Sequence, residues 1–249
     1  MQRRSNLTVG SIVEDREGTS PRGVVVNYPP IPATDWYVQG RGTLAEDNPN
    51  YPADDRTAIA IYESALEEYY PEYAGCEGIP IAQLNTDDAP YYAFPESRLE
   101  PVGELEPPTI PLASIDPSPY HARNFSAAEN RDYIDEIAQR GHPDPVPTVR
   151  PTVDGGYEIL NGHKRIWASH VAGLEAIPVS ILPLDHYRAA KYWAQRHLPG
   201  YEPRQQREAL ERLHDRYNGL QVEQIAGDWV ADTAEDSIRT ACTDGGTHE

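Results

Sequence analysis

The segment Leu160–Arg165, LNGHKR, holds residue types that bind phosphate when they stand at a strand-to-helix transition. Gly162 has no Cβ, so backbone amides can approach a ligand closely. A helix starting at His163 presents unpaired N–H groups and the positive end of its dipole, and Lys164 and Arg165 add full charges in the first turn. Two cations in a first turn oppose the dipole, so the arrangement costs stability unless an anion joins it. The plainer reading is a surface turn in which Arg165 pairs with a nearby carboxylate.

The elements that must position this turn can be read around it. GYEILNG reads as a strand entering it, joined to a preceding strand, VPTVRP, by a hairpin turn at Asp154, Gly155 and Gly156. HKRIWASHVAG reads as the helix leaving it and closing at Gly173, and Ile177–Leu182 as a further strand. Upstream, Ile110–Ile115 alternates as a strand, and the loop DPSPYHARNF follows. A helix from Ser126 to Arg140 comes next, with Ser126 and Glu129 spaced as a capping box and Gly141 as the stop. The order is strand, helix, two strands, helix, strand.

Charge singles out the same region. The chain of 249 residues carries a net charge of −19, and Lys164 and Lys191 are its lysines among 21 cations. Residues 1–109 hold 19 Asp and Glu against 7 Arg, residues 201–249 hold 11 against 5, but residues 110–200 hold 10 against 9. A near-neutral segment in so acidic a chain is read either as serving an anionic ligand or simply as better buried than the rest. The acidic, lysine-poor surface resembles that of proteins from salt-loving archaea, where molar salt screens self-repulsion. No apolar run approaches the roughly 20 residues of a membrane span, and the basic Arg3 and Arg4 are not followed by an apolar segment, so a cytoplasmic protein without membrane partners is expected. Cys76 and Cys242 lie far apart without metal-ligand spacing, which speaks against a zinc site, and no metal-ligating residues are assigned.

Before this region, Gly23–Tyr28, Thr57–Tyr62 and Ile79–Leu84 read as short strands of a small β-rich domain over residues 1–108. Its tyrosine-rich stretches Glu67–Tyr73 and Pro90–Phe94 read as aromatic packing, and Gly103–Pro108 as a linker. After it, Leu184–His197 and Pro203–Tyr217 read as amphipathic helices, the second with Glu208 and Arg212 at i, i+4. Val222, Ile225, Ala226 and Trp229 mark a short helix, and Thr233 with Asp236 starts another, giving a helix-turn-helix form. The expected class is α+β, with a β-rich N-terminal domain, a mixed α/β domain over 109–184 and a helical region over 185–249.

The middle domain resembles the ParB and sulfiredoxin superfamily. The pieces that carry the resemblance stand in order: Pro119 with Arg123, the helix to Arg140, Val146–Arg150, Gly162–Arg165 and Ile177–Val179. The resemblance implies a nucleotide-phosphate site on Arg123, Gly162, His163, Lys164 and Arg165, with CTP or another nucleotide and Mg2+. It departs from ParB proteins at WAQRHLPGYEP, where Ala194 and Gln195 occupy the acidic and amide places of the family's E-N-x-x-R motif, which bears against nucleotide triphosphatase activity. The sulfiredoxin branch needs a cysteine beside the turn, and LNGHKR has none. A serine-kinase-like branch, with a D-G-H-H-R turn, needs carboxylates where this chain has PYHAR and Asn161; His121 is the base left to it, and a loop histidine reads better as a neutral hydrogen-bonding residue.

By the same resemblance the helical region binds DNA, with Arg204, Arg207, Arg212, Arg216 and Arg239 as contacts. The leading expectation is a ParB-like, nucleotide-responsive DNA-binding protein in plasmid or chromosome partition or in regulation, with a ParA-type ATPase and a second copy of the chain as further partners. The alternatives are a phosphotransfer enzyme or nuclease on the same fold, and an inactive binding module.

Overall fold

The computed structural model describes residues 7–18, 20–75 and 77–227. It is an α+β structure, with helices closing its C-terminal side. The first part builds β1 (Ser11–Asp15), β2 (Gly23–Asn27), a small hairpin of β3 (Tyr37–Val38) and β4 (Gly42–Thr43), and then α1 (Leu44–Asp47), β5 (Thr57–Tyr62), α2 (Glu63–Tyr69) and α3 (Ile81–Thr86). It ends with β6 (Tyr92–Pro95) and β7 (Leu99–Glu104). An antiparallel sheet runs in the order β6-β5-β2-β1-β7. The unbroken apolar runs of β2 and β5 put them in the middle, covered on both faces.

Two expectations fail here. Ile79–Leu84 is not a strand: Pro80 has no N–H for a ladder and caps α3, and Ile81 and Leu84 share a face at helical spacing. Gly103 and Glu104 are not linker, because they complete β7 against Ser11 and Ile12. Of the tyrosine-rich stretches, the first buries Tyr70 and Tyr73 in the core and the second packs Tyr91 against it, while Tyr69 and Tyr92 are exposed.

The second part contains β8 (Thr109–Pro111), β9 (Ile115–Asp116), α4 (Arg131–Arg140), β10 (Thr148–Pro151), β11 (Tyr157–Asn161), α5 (His163–Val171), β12 (Ala176–Pro178) and β13 (Ser180–Ile181). The hairpin of β10 and β11 forms as expected, with Gly155 at φ +83° in its turn. A mixed sheet runs β13-β10-β11-β9, with β13 and β9 parallel to their neighbours. Each flanking strand expected as one piece is two. A 3-10 turn at Leu112–Ser114 follows Pro111 and separates β8 from β9, and β12 stops at Pro178, so that β12 pairs with β8 and β13 with β10. Proline cannot donate to a ladder, which explains both breaks.

The first turn of the expected helix is also different. Ser126 Oγ accepts from the Glu129 N–H at 3.3 Å, as a cap would, but this closes an isolated turn, and α4 starts after Asn130. Gly141, at φ +80°, ends α4.

The third part is α6 (His186–His197), α7 (Pro203–His214) and α8 (Gly219–Ala226). Trp193, Leu198, Leu210, Leu213, Val222 and Ile225 bury their faces together. Tyr120, from the loop before α4, is in the same cluster. Trp229, the expected helix from Thr233 and Arg239 lie outside the described residues.

These parts do not keep separate cores. Leu160, Leu182, Leu184 and Ala189 pack in one cluster with Val24, Ile59 and other residues of the first sheet. Ala74 exchanges backbone hydrogen bonds of 3.2 Å with Ile181, extending the mixed sheet with a residue of the first part. The expected boundaries at 108 and 184 are therefore crossed by shared packing.

Candidate functional site

The strand-to-helix turn forms where the residues place it. β11 ends at Asn161, Gly162 takes a φ of +103°, and α5 starts at His163 with no side chain capping it. The helical ladder opens with the Ile166 N–H donating to the Gly162 carbonyl at 3.1 Å, so the amides before it have no acceptor within the helix. A Cβ at position 162 would lie 2.8 Å from Pro147 Cβ and 3.0 Å from Arg165 Nε, which is why the turn requires glycine.

The three cations assigned to this turn do different work. Arg165 Nη1 donates to the carbonyls of Pro145 at 2.9 Å and Val146 at 2.7 Å, tying the segment before β10 onto α5. Hydrogen bonds from a charged donor are worth about 1.5–3 kcal/mol each, so Arg165 is held as a structural strut. Burial holds its pKa below the usual arginine value. Lys164 is exposed and lies 5.1 Å from the centre of the Tyr133 ring. Arg123 is exposed, sits 4.5 Å over the Tyr201 ring, and reaches Gln205 Oε1 only at 3.5 Å. Cation–π contacts at exposed sites are worth about 0.5–1 kcal/mol, so these two cations are free to turn to a ligand at small cost. No carboxylate among the described residues pairs with any of the three.

His163 is a wall residue. It is buried, and its Nε2 accepts the Ser118 N–H at 3.0 Å, which leaves its proton on Nδ1. His121 stacks on it with ring centres 3.8 Å apart, and His197 stands edge-on to both. Trp167 and Tyr201 close the cluster. Burial pushes the His163 pKa down to about 2 and that of His121 to about 4, with the neighbouring imidazoles adding to both shifts. His197 is lowered by burial as well, and its Nε2 donates to the Leu160 carbonyl. Neutral imidazoles with such low pKa values are poor proton acceptors at pH 7. His121 thus stands as the neutral hydrogen-bonding residue expected of it, bonded through Nδ1 to the Tyr201 hydroxyl.

The stacked imidazoles fix the loop of Pro117–Phe125 against α5, and beside them opens a groove of about 690 Å³. Its walls are Pro117, Pro119, Phe125 and Trp167, and its cations are Arg123 and Arg212. Sequence reasoning brought Arg123 to this turn but missed the groove and the histidine cluster. Residues 121, 163 and 197 are too far apart in the chain for any spacing rule to join them.

Of the residues assigned to DNA, Arg204, Arg207 and Arg216 are exposed, without a carboxylate partner among the described residues. Arg212 is engaged: it donates to the His121 carbonyl and pairs with Glu208. The motif residue Arg150 is buried and pairs with Glu158 at 2.7 Å, with His186 Nδ1 at 2.8 Å from the same nitrogen, so it ties the hairpin to α6. Ala194 is buried in the helical core and Gln195 is exposed. No group of three His, Cys, Asp or Glu among the described residues is placed to hold a metal ion.

Residues 98–194 match the family model of the ParB N-terminal domain. The chromosome-partitioning protein Spo0J of Thermus thermophilus is 38% identical over 81 residues, which is 32% of this chain and 29% of that protein. The chain thus matches less than a third of that relative's length. Two solved structures of C-terminally truncated ParB from Caulobacter crescentus are similar over 48% of this chain at 20% identity. One, complexed with CTP-gamma-S, has a TM-score of 0.33 over 70% of its chain, and the other, complexed with the centromeric parS site, 0.30 over 64%.

Proposed function

We propose, from the premise that residues 98–194 are a domain of the ParB superfamily, that this chain is a nucleotide-responsive DNA-binding protein acting in DNA partition or regulation. The observation that carries the reading is the uncapped N-terminus of α5 behind Gly162, with the exposed Lys164 in its first turn and the exposed Arg123 on the loop whose His121 stacks on His163, neither cation having a carboxylate partner among the described residues. The residues fit a nucleotide phosphate: free amides and the helix dipole receive it, Lys164 meets it as a point charge, and Arg123 swings from Tyr201 to form a two-pronged contact. Magnesium would arrive on the phosphates, since it is ordinarily held by substrate phosphates and waters with few protein ligands. CTP is the nucleotide favoured by similarity to the family.

Binding, not turnover, is the role these residues support. The histidines in reach are neutral and weakly basic, and the buried Ala194 stands where, by the resemblance, ParB proteins carry an acidic residue. DNA is assigned to the helical region, with Arg204, Arg207 and Arg216 on its exposed side as phosphate contacts. In molar salt the counterion-release contribution is small, so base contacts carry more of the affinity and an acidic chain can still bind. A ParA-type ATPase and a second copy of the chain belong to the same reading.

The experiment is selection of fragments from a random duplex pool by the full chain in molar KCl, with and without CTP and Mg2+. The expected result is enrichment of a defined site, with retention that changes when nucleotide is added and is lost in the Arg204→Glu, Arg207→Glu double variant. Equal retention of all sequences, or none in either condition, contradicts it.

A further inference from the structure

The first part of the chain, most of which precedes the matched span at residue 98, holds the rest in two different ways. Leu160, Leu182 and Leu184 are sealed into the apolar core of the first sheet, which fuses the mixed sheet to it. α6 is held by less apolar means. Its positions 188, 189, 192 and 196 lie within about 100° of the helix circumference. Ala189 and Tyr192 of this face pack on the core of the first sheet, and the other contacts are polar. Arg188 Nη2 donates to Thr86 Oγ1 at 2.6 Å and to the Ala82 carbonyl at 3.4 Å, both in α3. Just before α6, the Pro183 carbonyl accepts from Nε2 of the buried Gln83. Near the other end of α6, Arg196 Nη2 meets Glu77 at 2.7 Å.

These clasps yield more easily than the apolar seal. The side chains of Arg188, Arg196 and Glu77 are partly exposed, so water competes for them. Gln83 Oε1 is buried without a partner, a cost carried while the clasp is closed.

α6 also touches everything that the helical side of the protein presents. Its opposite face, Ala190, Trp193 and Ala194, packs in one cluster with Leu213 of α7 and Val222 of α8. His197, in its last turn, lies 3.0 Å from the Leu160 carbonyl and stands edge-on to His163 behind the phosphate turn.

We infer that the first part of the chain is a clasp on α6, with Glu77, Gln83 and Thr86 as positioning residues that fix, through this helix, both the helical region and the histidine cluster on a base made rigid by the fused sheets. Whatever loosens α3 or Glu77 then changes the helical region and the cluster together, with both sheets intact.

The test is amide hydrogen exchange of the full chain in molar KCl, with nitrogen-15 spectra of the imidazoles, for the native protein, the double variant Glu77→Gln, Arg188→Ala, and Arg98→Ala. Loss of a charge-assisted bond such as that of Arg188 supports exchange about 10- to 150-fold faster in α6, α7 and α8 of the double variant, with β2 and β5 at native rates. Arg98→Ala is the control, because its bonds to Asp15 and Asn48 lie within the first part; it should speed exchange in β1 and β7 at least as much as in α6. Glu77→Gln alone opens the C-terminal clasp and should speed exchange of the last turn of α6 by about 1.5- to 5-fold, which decides the matter if the double variant does not fold. The His197 signal should shift in both clasp variants and stay native in Arg98→Ala. Native exchange in α6 of the clasp variants, or exchange that rises equally in α6 and in the first sheet, overturns the inference. Neither nucleotide nor DNA is added, so the result stands apart from the function proposed above.

Discussion

Substitution of Gly162 by alanine tests whether the turn is shaped as described, and its cost can be worked from the surroundings. At a φ of +103° an L-residue is outside its ordinary backbone range, which costs on the order of 1–2 kcal/mol. The new methyl would also lie 2.8 Å from Pro147 Cβ and 3.0 Å and 3.1 Å from Arg165 Nε and Cζ. Neither neighbour yields easily, because one is a ring and the other is held by two carbonyls. Overpacking of this kind adds about 1–3 kcal/mol. Gly173→Ala is the control: its φ is +79°, but nothing lies within 4 Å of its Cβ position, so it carries the backbone cost alone. A protein of this size loses about 2–4 °C of melting temperature per kcal/mol. Calorimetric melting in molar KCl should then show a fall of about 4–20 °C for Gly162→Ala against about 2–8 °C for Gly173→Ala. Equal melting of the two variants would refute the close approach of Gly162 to Pro147 and Arg165.

Stability should also fall on acidification below pH 6.5, through about pH 4 for His121 and on to about pH 2 for His163: their folded-state pKa values are depressed, so the unfolded chain takes up protons that the folded cluster refuses. Urea denaturation at pH 7.5 and 5 checks this, and His163→Asn should flatten the dependence. Arg98→Ala should cost about 1.5–3 kcal/mol in the same assay, because it leaves the partly buried Asp15 carboxylate without the guanidinium that pairs with it at 2.6 Å and holds its pKa low. The acidic surface predicts a folded circular dichroism spectrum in molar KCl and loss of structure in dilute buffer; a spectrum unchanged down to about 50 mM salt would contradict the adaptation to salt.

The elements around the phosphate turn were legible because each carried local punctuation: Gly155 in the hairpin, Gly162 before α5, and Gly141 and Gly173 after the helices, all at positive φ. Errors fell where punctuation misleads. Pro80, Pro111 and Pro178 interrupt runs that alternate like strands, and Ser126 closes a turn with the same bond that a helix cap would make. Long-range packing left no local signal. Nothing near Arg165 in the chain announces that it bonds to Pro145 and Val146, 20 and 19 residues away, and nothing near Leu160 announces its place in the core of the first sheet. Shared packing also changes how the helical region can be tested. Cutting the chain at Glu202 would remove Leu210, Leu213 and Val222 from Trp193 and Tyr120, so charge reversal on exposed arginines is the cleaner perturbation.

The central claim is that the N-terminus of α5 receives a nucleotide phosphate with Arg123, and isothermal titration of CTP, ATP and ADP with Mg2+ into the full chain in molar KCl tests it most directly. The account predicts saturable heat with at least one nucleotide, and an affinity about 10- to 150-fold weaker in Arg123→Ala at unchanged melting temperature. No heat with any of the three, or equal affinity in the Arg123 variant, would contradict it.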